Sequence, residues 1–310
     1  MTEPMPEQRV EPVLRAGMVA VVGRANVGKS TLVNRLLGEK VSIVSPVAQT
    51  TRNLVRGILT EERGQLVFLD TPGMHKAESD LGKLMNRVSR ASVEGTDIAL
   101  LVLDASSHPK IEDDGWMRRL MKEPDVKVLC VLNKADAKPK CGEDYRELWR
   151  TIAEEKGSQV EPTWITTSAI QGSGCKALLA TLFELVPQGP YLFPEDVLTD
   201  FPRKLTIGDV VREKYFAVLK QELPHSLAIW VEEIDDSRQP WSVSGIVYVE
   251  RHGQKGIVLG KKGSLLKKVQ QEAERDLTEM YGVPMKLDLW VKVEKDWTKN
   301  FWILRKLGYA

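Results

Sequence analysis

Three cysteines in 310 residues are too few and too scattered to staple a fold. Cys130, Cys141 and Cys175 show no CxxC spacing and no histidine cluster beside them, so neither a disulfide framework nor a zinc site is indicated, and a reducing cytosol is expected. Long hydrophobic runs are also missing. The longest, such as IALLVL at 98–103, fall far short of the ~20 apolar residues that cross a bilayer, so any membrane association is expected to be peripheral. The opening MTEPMPEQRVEPVLRA mixes Pro, Glu and Arg without an apolar segment, which argues against a secretory signal and predicts a disordered tail over 1–15. Charge of one sign is the third absence. Against 43 Asp and Glu stand 44 Lys and Arg, a net +1, so the whole molecule is no general binder of polyanions and any basic surface must be local. Internal repeats and low-complexity tracts are not seen.

What is present is a series of short, continuous apolar runs: GMVAVVG (17–23), QLVFLD (65–70), IALLVLD (98–104), VKVLCVLN (126–133) and PTWITTS (162–168). Runs of this kind read as strands buried on both faces, and the amphipathic stretches between them as covering helices, which predicts an open, mostly parallel α/β sheet. LVRGILT (54–60), EERG and QLVFLD read as an antiparallel hairpin. The proline-rich VPQGPYLFPEDVLTDFPRK (186–204) breaks the periodicity and divides the chain into a domain over 16–186, a linker over 187–203 and a second unit over 204–310. That unit is expected to run helix (204–220), strands (226–234 and 242–250), helix-loop-helix (253–280) and strand (284–293).

GRANVGKS (23–30) matches GxxxxGKS, directly follows an apolar strand and opens the helical stretch KSTLVNRLLG. Such a loop turns backbone N–H groups inward on phosphates at the positive end of a helix. It comprises Gly23, Arg24, Ala25, Asn26, Val27, Gly28, Lys29 and Ser30, with Thr31 next on the helix. Lys29 is expected to reach the terminal phosphates and Ser30 to ligate Mg²⁺. NKAD (133–136) and TTSA (166–169) each close a predicted strand. Asp136 suits guanine, accepting from N1–H and the exocyclic amino group, whereas adenine presents an acceptor at N1. A site built this way rejects the wrong base by roughly 10⁴-fold or more. Asn133 is expected to tie loops together, Lys134 to lay its stem along the base, and the Ala169 N–H, following Ser168, to donate to guanine O6.

The ordered set GRANVGKS, QTTR (49–52), DTPG (70–73), NKAD and TSA resembles the translation-factor-like GTPases. With the C-terminal features below, the chain resembles the Era family of bacterial ribosome-assembly GTPases over nearly its whole length. The resemblance implies a P-loop GTPase with GTP or GDP as ligand. Asp70, followed by Thr71 and Pro72, would contact Mg²⁺ through water, and the Gly73 N–H would bind the γ-phosphate. One of Thr50 and Thr51, in the switch segment VSIVSPVAQTTRN (41–53), would close onto Mg²⁺, with Thr51 preferred. Met74 stands where Ras-like enzymes carry the glutamine that orients the attacking water, a task for which a thioether is unsuited. Asn26 offers a compensation: some related GTPases with asparagine at this place bind K⁺ beside the β- and γ-phosphates. Lys29, Asp70, Gly73 and Asn26 are thus the candidate catalytic set. His75 is expected to be solvated rather than catalytic.

RHGQKGIVLGKKGSLLKKV (251–269) carries Arg251, Lys255, Lys261, Lys262, Lys267 and Lys268 with no acidic residue. Its centre, from Gly260 to Gly263, is the GxxG of a KH arrangement, a loop between helices that approaches a nucleic-acid backbone. The element order resembles a type II KH domain, an α+β fold. Alternation in LDLWVKV is taken to turn Trp290 into the core, and Trp297 receives no role. The resemblance implies binding to small-subunit ribosomal RNA near its 3′ end, and a role in maturing the small ribosomal subunit as a cytoplasmic monomer. Two other readings remain open here. A P-loop ATPase or small-molecule kinase is opposed by NKAD and TSA. A non-catalytic RNA-binding assembly protein is opposed by Lys29, Ser30 and Asp70 but favoured by Met74.

Overall fold

Strands buried on both faces need covers above and below, and the apolar runs find them. A computed structural model of the chain describes residues 14–47, 49–76, 79–220 and 223–309. Its first part runs β1 (Arg15–Val22), α1 (Lys29–Leu37), β2 (Val55–Glu61), β3 (Gly64–Asp70), α2 (Asp80–Ala91), β4 (Ile98–Asp104), α3 (Ile111–Leu120), β5 (Lys127–Asn133), α4 (Gly142–Lys156), β6 (Thr163–Thr166) and α5 (Cys175–Leu185). The sheet order is β2-β3-β1-β4-β5-β6, with β2 alone antiparallel. Helices α1 and α5 cover one face around Val19, Val21, Leu100 and Leu129, while α3 and α4 cover the other around Ala20, Val22, Leu101 and Cys130. The strands and the hairpin fall where the sequence predicts them.

The predicted tail is corrected at its end. Arg15 already pairs in β1 and its guanidinium donates to the carbonyls of Glu184 and Val186, while residues 1–13 lie outside those described. The segment over 187–203 is a strap rather than a loose tether. Gln65 accepts from the N–H groups of Leu192 and Phe193 and donates to the Phe193 carbonyl. The Ile58 N–H donates to Leu198, and Phe193 and Val197 pack on Ile58, Val67 and Leu69. The outer edge of the sheet is thereby covered.

The second unit runs α6 (Arg203–Val218), β7 (Ala228–Asp235), β8 (Trp241–Val249), α7 (His252–Leu259), α8 (Ser264–Tyr281), β9 (Met285–Val293) and α9 (Phe301–Lys306). β8 pairs antiparallel with β7 and parallel with β9. In α8, Val269, Ala273 and Leu277 repeat at four-residue spacing and are fully buried against the sheet. The opposite sheet face, with Ala228, Ile246 and Tyr248, packs on Trp297, Ile303 and Leu304, and also on Leu81 and Met85 from α2 of the first unit. Hydrophobic core is therefore shared between the units.

Trp290 is a correction: in β9 the buried phase is Met285, Leu287, Leu289 and Val291, which leaves Trp290 in step with Asp288 and Lys292, 42% exposed. In this unit the fully buried tryptophan among the described residues is Trp297, with Nε1 donating to the Ser226 carbonyl at 2.9 Å. Among the described residues, no helix is long and apolar enough to cross a membrane.

Candidate functional site

The glycine loop and the two later motifs meet at the carboxyl ends of β1, β5 and β6. Gly28 has φ +95, and a Cβ there would lie 2.5 Å from Asn133 Nδ2. Its absence lets Asn133 donate to the Val27 carbonyl at 2.9 Å. Asn133 Oδ1 accepts from the Thr167 hydroxyl and from the Ala169 N–H, at 3.2 and 3.0 Å. The tie between loops is thus present. The Ala169 donor expected for guanine O6 is instead engaged by Asn133, because that N–H is buried and Asn133 supplies the acceptor within reach.

Asp136 is exposed at the mouth of the site and accepts from the Ser168 hydroxyl at 2.5 Å, which holds its carboxyl below the usual range and keeps it ionised. Lys134 adopts a left-handed φ of 62 and its ammonium pairs with Asp104 at 2.8 Å. Arg24 points away from the cradle, donating to Asp113 at 3.0 Å and to Ser107 at 2.5 Å. Only its backbone is left to meet phosphate.

Around the phosphate position, Ala25, Asn26, Gly28, Lys29, Ser30 and Thr31 line one pocket with Thr51 and Gly73. Lys29 is buried, donates to the carbonyls of Gly23 and Arg24, and has its pKa lowered to about 8, chiefly by loss of water, with Asp70 opposing. Asp70 is fully buried, and neither carboxylate oxygen has a hydrogen-bond partner among the described residues. Burial pushes its pKa up; Ser30, Lys29 and Ser42 lie near enough to oppose the rise. Ser30 Oγ meets Thr51 Oγ1 at 2.9 Å, whereas the Thr50 hydroxyl turns back to the Val47 carbonyl. Two hydroxyls beside a buried carboxylate with unused lone pairs fit a hydrated Mg²⁺.

The DTPG segment is fastened to the cradle. The Met74 N–H donates to Gly23 and its carbonyl accepts from the Ala25 N–H. A Cβ on Gly73 would lie 2.5 Å from Ala25 Cα and 3.0 Å from Lys29 Nζ. The Thr71 hydroxyl donates to Val21, and the Pro72 carbonyl accepts from Ser89. The Met74 thioether packs into the α3 side of the core, its methyl beside Gly115. It anchors the segment rather than positioning water. His75 is partly buried, its ring beside the Gly73 carbonyl at 3.1 Å. Asn26, at φ 64, donates to the Pro46 carbonyl at 3.0 Å, joining cradle and switch.

Sequence reasoning missed where the switch segment ends. Ile43 is buried in the core of the second unit. The Arg52 guanidinium, also buried, donates to the carbonyls of Leu227, Pro224 and His225 and lies 5.9 Å from the ring centres of Phe216 and Trp297. Arg212, from α6, donates to the Thr50 carbonyl and the Tyr309 hydroxyl while paired with Asp209 at 2.7 Å. The available signal was QTTR itself, an arginine two residues past Thr50.

The GKKG loop is a single 3-10 turn between α7 and α8, with Lys262 left-handed at φ 54. Lys261, Lys262, Lys267 and Arg251 are exposed and Lys255 partly so. A Cβ on Gly260 would lie 2.7 Å from Leu265 Cβ, while the corresponding space at Gly263 is open. One edge of the loop is thus packed and the other accessible.

Residues 18–134 match the family model for a 50S ribosome-binding GTPase and residues 222–298 that for a KH domain. The chain is 39% identical over 299 residues to GTPase Era of Carboxydothermus hydrogenoformans, covering 96% of this chain and 98% of the relative. It is 40% identical over 300 residues to GTPase Era of Caldanaerobacter subterraneus subsp. tengcongensis, with the same coverages. Two solved structures are similar at 36% identity and TM-score 0.87, each covering 96% of this chain. One is an Aquifex aeolicus Era variant bound to GDP·AlF4⁻, covered over 100% of its length. The other is Era with MgGDPNP and nucleotides 1506–1542 of 16S ribosomal RNA, covered over 99%.

Proposed function

Since the chain belongs to the Era family of GTPases, we propose that it is a GTP-controlled clamp that binds small-subunit ribosomal RNA near the 3′ end and acts in assembly of the small ribosomal subunit. The observation that carries this reading is the burial of Arg52 and Ile43: the segment that must respond to the γ-phosphate is built into the domain that presents GKKG. A change at the phosphate then repacks an interface instead of moving a free loop, and nucleotide and RNA affinities depend on each other.

At the nucleotide, Asp136 selects guanine, Lys29 meets the terminal phosphates, and the Gly73 N–H faces the γ-phosphate. Ser30, Thr51 and Asp70 would hold Mg²⁺, which when bound offsets charge on the β- and γ-phosphate oxygens. With Met74 turned into the core, no side chain at its place orients water. Asn26, its amide nitrogen fixed by the Pro46 carbonyl, would help to hold K⁺, which when bound offsets charge on the phosphates. On the second unit Lys261 and Lys262 meet phosphates, Gly260 and Gly263 permit close approach, and Arg251, Lys255 and Lys267 extend the basic track. We take the two domains to begin with β1 at Arg15 and with α6 at Arg203, joined by the strap, and the protein as a cytoplasmic monomer with any membrane contact peripheral.

The test is crosslinking to a 3′ segment of small-subunit ribosomal RNA with a GTP analogue and then GDP bound. Stronger crosslinking in one nucleotide state, through the GKKG region, is expected. Equal crosslinking in both contradicts nucleotide control.

A further inference from the structure

Away from the nucleotide, the fold gathers side chains that the sequence keeps apart. His108 stands on the loop after β4, Cys141 immediately before α4 and Asp144 in that helix's first turn. A donor atom from each lies within 4.8 Å of the others. His108 Nδ1 and Asp144 Oδ2 approach to 2.5 Å across 36 positions of sequence. The Cys141 N–H donates to the Ala105 carbonyl at 2.8 Å, so the two loops are already joined through backbone and present the three side chains from one frame.

We infer that His108, Cys141 and Asp144 form a binding site for a zinc-class divalent cation, with water in the fourth position. Imidazole, thiolate and carboxylate are the ligand types zinc takes, at roughly 2.0–2.3 Å, in tetrahedral sites. A hard ion such as Mg²⁺ or Ca²⁺ selects oxygen and has no use for the sulfur. Ligand atoms around a tetrahedral zinc stand roughly 3.3–3.7 Å apart, so the contact between His108 and Asp144 opens by about an ångström on binding. Both can move, with side chains 78% and 43% exposed, whereas Cys141 is buried and fixed. A bare ion pair between His108 and Asp144 accounts for two of the groups and leaves the adjacent sulfur without a role. Occupancy ties the loop after β4 to the segment that carries Asp136, so the site braces the guanine reader from outside.

The test takes full-length protein, stripped by chelator, and adds Co²⁺ alone. Cobalt on the thiolate gives a sulfur-to-metal charge-transfer band in the near ultraviolet, while cobalt beside Ser30 and Asp70 has only oxygen donors and gives none. The band is expected to saturate at one equivalent and to vanish in Cys141→Ser. In His108→Ala it should require at least about 10-fold more cobalt, since losing even an outer-shell partner costs roughly 10–100-fold. Retained GTP binding shows that each variant is folded. Should Cys141→Ser fail that check, the exposed His108 decides the matter, and unchanged cobalt affinity in His108→Ala overturns the inference. So does absence of the band, or its survival in folded Cys141→Ser.

Discussion

Arg212 donates to the Thr50 carbonyl at 2.9 Å, one residue before the threonine whose hydroxyl meets Ser30. The same guanidinium is paired with Asp209 and bonded to Tyr309, so a single planar fork joins the switch to the core of the second domain. Arg212→Lys keeps the charge and loses the fork. Its expected effect is a nucleotide affinity within a few-fold of wild type and a ratio of RNA affinities, GTP analogue over GDP, that shrinks toward one. Fluorescence titration of RNA in both states measures that ratio, and a wild-type value excludes Arg212 from the coupling. Arg212→Ala is a different matter. It leaves the largely buried Asp209 without its partner, and the loss of stability expected in denaturant is about 3–5 kcal/mol.

Asp136→Asn exchanges an acceptor pair for an amide that accepts once and donates once. Guanine loses one hydrogen bond to a charged group and meets a repelled N–H, so GTP binding should weaken about 10–100-fold. Xanthine nucleotides, which present a carbonyl at position 2, should gain. Competition of labelled GDP by GTP, XTP and ATP separates the outcomes, and an unchanged preference for guanine removes Asp136 from base recognition.

The parts legible in the sequence are those in which the chemistry sits on contiguous residues. GRANVGKS, DTPG, NKAD and GKKG each need a local backbone shape, and each lies at the end of a strand or between helices where the apolar periodicity put it. The hairpin was legible for the same reason. The interface of the two domains was not: Arg52 and the carbonyl it meets at Leu227 are 175 residues apart, and no local pattern marks an arginine for burial. Trp290 shows a different failure. The alternation was present in LDLWVKV, but the phase is set by Leu287, Leu289 and Val291, and the large aromatic follows the charged residues outward. His108 and Cys141 were invisible as a pair because ligand spacing rules describe single loops and not two loops that the sheet brings together.

Gly263→Asp places a carboxylate in the open space beside GKKG, where an RNA phosphate would approach, and forces a non-glycine residue to φ +77. RNA affinity should fall by at least about tenfold, with GTP affinity unchanged, because the loop touches no part of the nucleotide pocket. The lysines are separable from the glycine by salt. Lys261→Ala and Lys262→Ala should each flatten the slope of log K against log salt by about 0.7, the value for one single-strand phosphate contact. An unchanged slope means that the side chain does not meet phosphate.

Hydrolysis should depend on the monovalent cation. If Asn26 helps to hold K⁺ beside the phosphates, turnover in KCl exceeds that in NaCl at equal ionic strength, and Asn26→Ala brings the ratio of the two rates toward one. Steady-state phosphate release measures both. Equal rates in the two salts for the wild-type protein end this part of the proposal, and the amide is then only a link to Pro46.

Lys29 gives the nucleotide site a pH dependence whose sign follows from burial. Loss of water lowers its pKa from 10.5 to about 8 in the protein alone; bound phosphates favour the ammonium and return the pKa upward. Binding therefore takes up a proton above about pH 8, and affinity for GDP should fall roughly fourfold between about pH 7 and about pH 8.5. Stability without nucleotide moves the other way. The folded pKa lies below the unfolded one, so between about 8 and 10.5 the unfolded chain binds more protons and this site's contribution rises with pH. GDP titrations across that range at constant ionic strength, with Lys29→Met as the reference that cannot titrate, test the assignment. A flat profile in the wild-type protein, or an equal slope in Lys29→Met, places the titrating group elsewhere.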